Sequence, residues 1–162
     1  MDEELSFNNI NYKFVSSKMK KIRRTLLTLF ILLPALIVVI ITYFFIQIIW
    51  ILLILLPVAI IYIWGLYIIG RQIDNYKYAQ TEKDFIISKG VLFKSVIVIP
   101  YGRLQFIDVE QGPFLRKYNL ARITFHTASY QSLSPLIGVE EKEAKALRKS
   151  LLELGEANLA GL

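Results

Sequence analysis

The sequence contains no cysteine, which removes disulfides, thiolate metal sites and cysteine nucleophiles and leaves the redox compartment open. It has one histidine, His126, so a histidine-rich metal centre is excluded too. A third absence is local. Residues 25–70 hold no Asp, Glu, Lys, Arg or His. As one helix that run would be roughly 69 Å long, at about 1.5 Å per residue. A bilayer's hydrocarbon core is about 30 Å thick and takes about 20 apolar residues per crossing. The run therefore reads as a transmembrane hairpin, with spans over residues 25–43 and 48–69 and a tight connection from Phe44 to Gln47. Without a charge inside the membrane, proton- or ion-coupled transport is disfavoured.

What surrounds the run is short. Residues 1–24 form a tail that begins acidic (Asp2, Glu3, Glu4) and ends basic (Lys18, Lys20, Lys21, Arg23, Arg24). Its first fifteen residues carry no pattern that assigns a fixed structure. A secretory signal peptide also pairs a basic start with an apolar stretch. Here the stretch is too long, lacks a small-residue cleavage site and is followed at once by a second span, so it reads as a retained anchor. The net charge of +6 divides evenly, +3 in the tail and +3 in residues 71–162. Basic residues stay cytoplasmic, and they flank the start of the first span and, as Arg71, Lys77 and Lys83, the end of the second. Both termini are therefore expected in the cytoplasm of a multi-pass cell-membrane protein. Pro34 and Pro57 fall inside the spans and read as structural kinks.

Residues 71–162 suffice for one small domain. Tyr76 and Tyr78 suit a first strand. Phe85 to Ser88, Lys89-Gly90 and Val91-Leu92-Phe93 read as strand, turn, strand, with Gly90 supplying the turn. The β-branched run Val96 to Ile99 favours a buried strand that Pro100 ends. Leu104 to Glu110 is a further strand, and Gln111-Gly112-Pro113 a turn. Phe114 to Leu120 is left as helical turn or loop. Arg122 to Thr127 alternates, Ile123 and Phe125 one way and Arg122, Thr124 and His126 the other, as in a half-buried strand. A last strand is expected over residues 132–137. Ala144, Leu147, Leu151 and Leu154 then recur at helical spacing, predicting an amphipathic helix over 140–154 that stops at Gly155. The expected fold is a membrane α-hairpin plus an α+β, mostly β domain of six or seven antiparallel strands capped by that helix.

From Gly90 onward the spacing is familiar: Gly90-Val91-Leu92, Ile99-Pro100-Tyr101, Arg103, Gln105, Asp108-Val109, Gln111-Gly112-Pro113, Arg116, Asn119-Leu120-Ala121 and Thr127-Ala128-Ser129. This block resembles the bacterial PH-like domain of the YdbS-like membrane proteins, in which two spans precede one such domain. The resemblance implies a strongly bent antiparallel sheet with a C-terminal capping helix, and no defined reaction. Asn119 stands where that family usually has Gly; asparagine is the next best residue for a left-handed backbone.

Arg103, Arg116, Lys117 and Arg122 are the candidate contacts to anionic lipid or an acidic partner, each basic residue contributing about 1 kcal/mol near an anionic surface. For Arg103 and Arg116, pairing with Asp108 or Glu110 is the competing structural reading. Lys89 and Lys94 alone do not make a phosphoinositide site. His126 lacks a nucleophile or second histidine beside it, and Gln105 with Asp108 lacks a partner base. No catalytic, metal or cofactor residue, nucleic acid partner or small-molecule substrate is expected. The expected function is a non-enzymatic, membrane-anchored PH-like interaction module at the cytoplasmic leaflet, binding proteins, anionic membrane lipid or both. It would act in a membrane complex for envelope maintenance or stress. It would assemble as a homo-oligomer or with a larger related PH-like membrane protein. The alternative is a small regulatory or structural subunit of a membrane transporter or channel.

Overall fold

The computed structural model describes residues 11–45, 48–127 and 135–159. The chain divides into a helical unit, Lys20–Arg71, and a second unit that joins residues up to Met19 with those from Gln72 onward.

Two helices build the first unit, α1 (Lys18–Phe45) and α2 (Ile48–Asp74). Both run past the charge-free stretch. The basic residues from Lys18 to Arg24 are good helix formers with no breaker among them, so α1 starts at Lys18 rather than near Thr25. α1 holds to Phe45; the expected connection at Phe44 to Gln47 otherwise falls on residues 46–47, outside the described residues. The helices pack antiparallel. A Cβ on Gly65 would meet the Leu27 side chain at 3.1 Å, and Thr28 Oγ1 lies 3.0 Å from the Tyr62 hydroxyl. The hydroxyls of Thr25, Thr28 and Thr42 bond to carbonyls one turn back, so these helices leave those groups satisfied. Phe30, Leu56, Ile63 and Trp64 are among the many large apolar side chains left exposed on this unit. Water would not tolerate such a surface, and a bilayer would.

The second unit contains two antiparallel sheets. One has the order β1 (Lys13–Phe14), β2 (Lys77–Gln80), β3 (Asp84–Lys89), β4 (Ser95–Pro100). After a 3-10 turn at Tyr101–Arg103 come β5 (Leu104–Glu110), the short helix α3 (Pro113–Lys117), β6 (Leu120–Thr127) and β7 (Leu136–Glu140). These three strands form the second sheet in sequence order. The helix α4 (Glu141–Leu159) follows without a linker and packs on the second sheet and the 3-10 turn. The core lies between the sheets. Phe85 of β3 and Phe125 of β6 are fully buried with ring centroids 5.1 Å apart, and Ile87, Ile99, Ile123, Leu120, Leu136 and Leu151 are fully buried as well. Each such side chain contributes roughly 1.5–3 kcal/mol by leaving water.

Several expectations are corrected. The tail has structure: Lys13 and Phe14 pair with Tyr78 and Lys77, and Val15 and Met19 are buried. Val15 N–H donates to the Tyr76 carbonyl (3.1 Å) and Ser16 N–H to the Gly138 carbonyl (3.0 Å). Gly138 has φ +96°, and a Cβ there would lie 2.6 Å from Val15 Cγ1, so only glycine lets the tail approach β7 this closely. Val91-Leu92-Phe93 is not a strand but part of the loop between β3 and β4. The run from Val96 to Ile99 is a strand but an edge one, and of its four residues only Ile99 is buried. The last strand lies at Leu136–Glu140, later than expected; residues 132–134 of the expected one are outside the described residues. Finally, α4 runs through Gly155, which sits against the carbonyl of Tyr101.

Candidate functional site

Three of the residues in the chain's familiar pattern, Gln111, Asn119 and Tyr101, hold the fold together. Gln111 ends the β5 segment and donates its amide to the Leu120 carbonyl (2.8 Å) and to Glu141 Oε2 (3.3 Å). Asn119 takes the left-handed conformation, φ 55°, and its carbonyl accepts from Glu141 N–H at 3.0 Å. One corner thus ties β5, β6 and the start of α4. The Lys145 ammonium, bonded to Glu141, holds that carboxyl below the usual carboxylate range, helped by Gln111 and more weakly by Arg116. At the other end Tyr101 is fully buried and donates to the Thr81 carbonyl at 2.8 Å. Burial, with the Asp84 charge beside it, pushes the Tyr101 phenol up to about 12. Tyr78 is buried as well, its hydroxyl near Glu143 without a hydrogen bond of normal geometry; burial first, then that carboxylate, raises its pKa.

The four basic candidates do not converge. All four are exposed. Arg103 closes the 3-10 turn before β5, whereas Arg116 and Lys117 sit on α3 beyond its far end. The seven residues of β5 separate them, a span of about 20 Å for a strand. Arg122 is with the second group, opposite Glu110 across β5 and β6. A cross-strand pair of opposite charge is worth about 0.2–1 kcal/mol. Asp108 is engaged elsewhere: its Oδ2 lies 3.1 Å from His126 Nε2. Phe106 stacks on the His126 ring at 4.0 Å and 12°. His126 is therefore covered by the Phe106 ring, with its Nε2 buried near the Asp108 carboxylate without a hydrogen bond of normal geometry. Neither Arg103 nor Arg116 forms an ion pair with Asp108 or Glu110.

Comparison with known proteins settles the family. Residues 22–155 match the family model described as "Bacterial PH domain". The chain belongs to this family. It is 33% identical over 79 residues to the UPF0699 transmembrane protein YdbS of Bacillus subtilis (strain 168). That match covers 49% of this chain and 48% of the relative, so the chain is matched over about half of the relative's length. No solved structure matches. With two long apolar helices attached, this is a membrane-associated bacterial PH domain protein.

Two surfaces of the PH domain remain that no residue motif announced. The first is the outer side of β4. Among the described residues this strand is hydrogen-bonded only to β3. It presents Val96-Ile97-Val98 to an open edge, with Val98 43% exposed. Natural edge strands are usually blunted by inward charges, bulges or proline; β4 carries a proline at its last position, Pro100, and Val96 to Ile99 carries none of these. The second is the β3–β4 loop, where Leu92 is 74% and Phe93 89% exposed. The β-branched and aromatic types were visible in the sequence; their exposure was not, because it depends on which neighbours the sheet provides.

Proposed function

We infer that this chain is a non-enzymatic interaction module, anchored by a two-span helical hairpin, whose PH domain faces the cytoplasm and receives a partner strand along β4. The open β4 edge carries this reading. Among the described residues the outer side of β4 has no strand partner, so strand addition would pair its backbone groups and cover Val98 in one step. The fitting partner is another PH domain of the same kind, either a second copy or a larger related membrane protein. The cytoplasmic assignment rests on the basic residues at Lys18 to Arg24 and on Arg71 at the end of α2. The non-enzymatic assignment is supported by Tyr101, Gln111 and Asn119, whose hydrogen bonds hold strands and helix ends, and by the scatter of the basic residues. Arg116, Lys117 and Arg122 at one end and Arg103 at the other would contribute to attraction toward an acidic partner or anionic lipid, without defining a pocket.

Purification from native membranes in mild detergent tests this. Co-purification of a second copy or a PH-domain protein is expected, with the complex lost in Val98→Lys, which places a charge on the edge while leaving the core intact. A stable monomer from native membranes, or a complex indifferent to Val98→Lys, would overturn it.

A further inference from the structure

The most exposed large apolar side chains of the PH domain lie at one end of the first sheet, and the strand register identifies that end. Phe14 pairs with Lys77, Lys77 with Ser88, and Ser88 with Val96. These four residues form one row across β1, β2, β3 and β4. The chain leaves this row for both membrane helices. Three residues separate Phe14 from the start of α1, and two separate the end of α2 from Lys77. Val15 and Ile73 are buried, Tyr76 N–H donates to the Ile73 carbonyl, and the Tyr76 hydroxyl donates to the Pro135 carbonyl at 2.7 Å.

The β3–β4 loop, residues 90–94, projects from this same end, one step beyond the Lys89 and Ser95 pair. Neighbouring strands lie about 4.8 Å apart, so its base is about one strand spacing from where the chain passes between α2 and β2. Gly90 makes the reversal tight: with φ +126°, any Cβ would strike the Phe93 carbonyl. The loop therefore carries Leu92 and Phe93 outward, between Lys89 and Lys94. Phe14, also at this end, is 65% exposed.

We propose that the β3–β4 loop is a membrane-insertion element, with Leu92 and Phe93 entering the interface of the bilayer the helices occupy and Lys89 and Lys94 meeting anionic headgroups. Connections of three and two residues tether this end of the sheet to the helices in that bilayer. An aromatic–aliphatic pair flanked by lysines has the chemistry of an interfacial anchor, since apolar burial and attraction to anionic lipid add. The loop would fix how the PH domain stands on the membrane. This inference requires the membrane location alone and not the strand partner proposed for β4.

The native absence of cysteine allows a direct test. Full-length Leu92→Cys is labelled with an environment-sensitive fluorophore in nanodiscs of phosphatidylcholine with or without phosphatidylglycerol. The control label is at Lys142→Cys on exposed α4. The expected result is blue-shifted emission at position 92, quenched by spin-labelled acyl chains and shielded from aqueous iodide, with the control showing the reverse. Adding Phe93→Ser should abolish the lipid quenching. Adding Lys89→Gln with Lys94→Gln should remove any gain from phosphatidylglycerol. Iodide quenching at position 92 equal to the control would overturn the proposal, placing the loop in water. So would shielding from both quenchers, which would place the loop against protein. Lipid quenching identical with and without phosphatidylglycerol would overturn the role given to the lysines. Leu92 and Phe93 are exposed, so these substitutions leave the core intact, and a β4 complex can be scored on the same samples.

Discussion

Replacing Gly138 with alanine tests whether the N-terminal segment belongs to the PH domain. The backbone there has φ +96°, where an L-residue is strained; in the left-handed region that costs about 1–2 kcal/mol. The new Cβ would also lie 2.6 Å from Val15 Cγ1 and 3.2 Å from Met19 Cβ. Val15 cannot retreat freely, because its N–H is bonded to Tyr76 and the next N–H to Gly138 itself. Overpacking of this kind costs about 1–3 kcal/mol, so Gly138→Ala should destabilise the domain by about 2–5 kcal/mol in total. The readouts are hydrogen exchange in β2 and β7 on detergent-solubilised protein, and tryptic cleavage after Lys13 and Lys18. Both should accelerate. Val15→Ala in the same chain removes the clash but not the backbone strain. The two substitutions should therefore couple favourably by about 1–2 kcal/mol, as contacting residues do. Unchanged exchange in Gly138→Ala, or strictly additive effects in the pair, would refute the packing described.

The remaining predictions concern titration and hydrogen bonding. Lys18 bonded to Glu140, and Lys145 bonded to Glu141, hold both carboxyls below the usual range. Groups depressed on folding contribute stability that is present above the unfolded pKa and lost as pH falls through the folded one. Protection of the N-terminal segment should thus decline below about pH 5, and Lys18→Gln should remove the Glu140 share of that decline. Tyr101 has the opposite sign. Its folded pKa is raised to about 12 from 10.0, so the stability it contributes is complete below pH 10 and lost as pH rises toward 12. Tyr101→Phe should flatten that alkaline loss while costing about 1 kcal/mol at neutral pH for the missing bond to the Thr81 carbonyl; denaturant titration across pH reads both.

The parts of this fold that local chemistry dictates were legible in the residues. A charge-free run of this length admits only a hairpin of apolar helices, and the stripe Ala144, Leu147, Leu151 demands a helix with one buried face. Ile123 and Phe125 alternate with Arg122, Thr124 and His126 because β6 has one wet side. Asn119 adopts the left-handed backbone its turn requires. What neighbours decide was not legible. β1 is two residues long with exposed side chains, and it is a strand only because the helices return the chain beside β2. Val91 to Phe93 and Val96 to Val98 have strand-forming side chains, but residue type does not distinguish an edge or a loop from a buried centre. The basic candidates were close in sequence, yet a full strand of β5 separates Arg103 from Arg116. Gly155 looked like a helix stop, and packing of α4 against Tyr101 carries the helix through it. Within the family motif, Tyr101, Gln111 and Asn119 hold the fold together, which is why the motif names the fold.

Assembly of the membrane-anchored PH domain through β4 can be read by cross-linking in native membranes. With no native cysteine in this chain, Val98→Cys and a short thiol-reactive bifunctional reagent report the β4 edge alone, with Lys142→Cys on α4 as the comparison. One discrete cross-linked species is expected from Val98→Cys, a dimer or a complex with a related PH-domain protein, and none from Lys142→Cys. Monomer alone from Val98→Cys, or equal cross-linking from both positions, would contradict it.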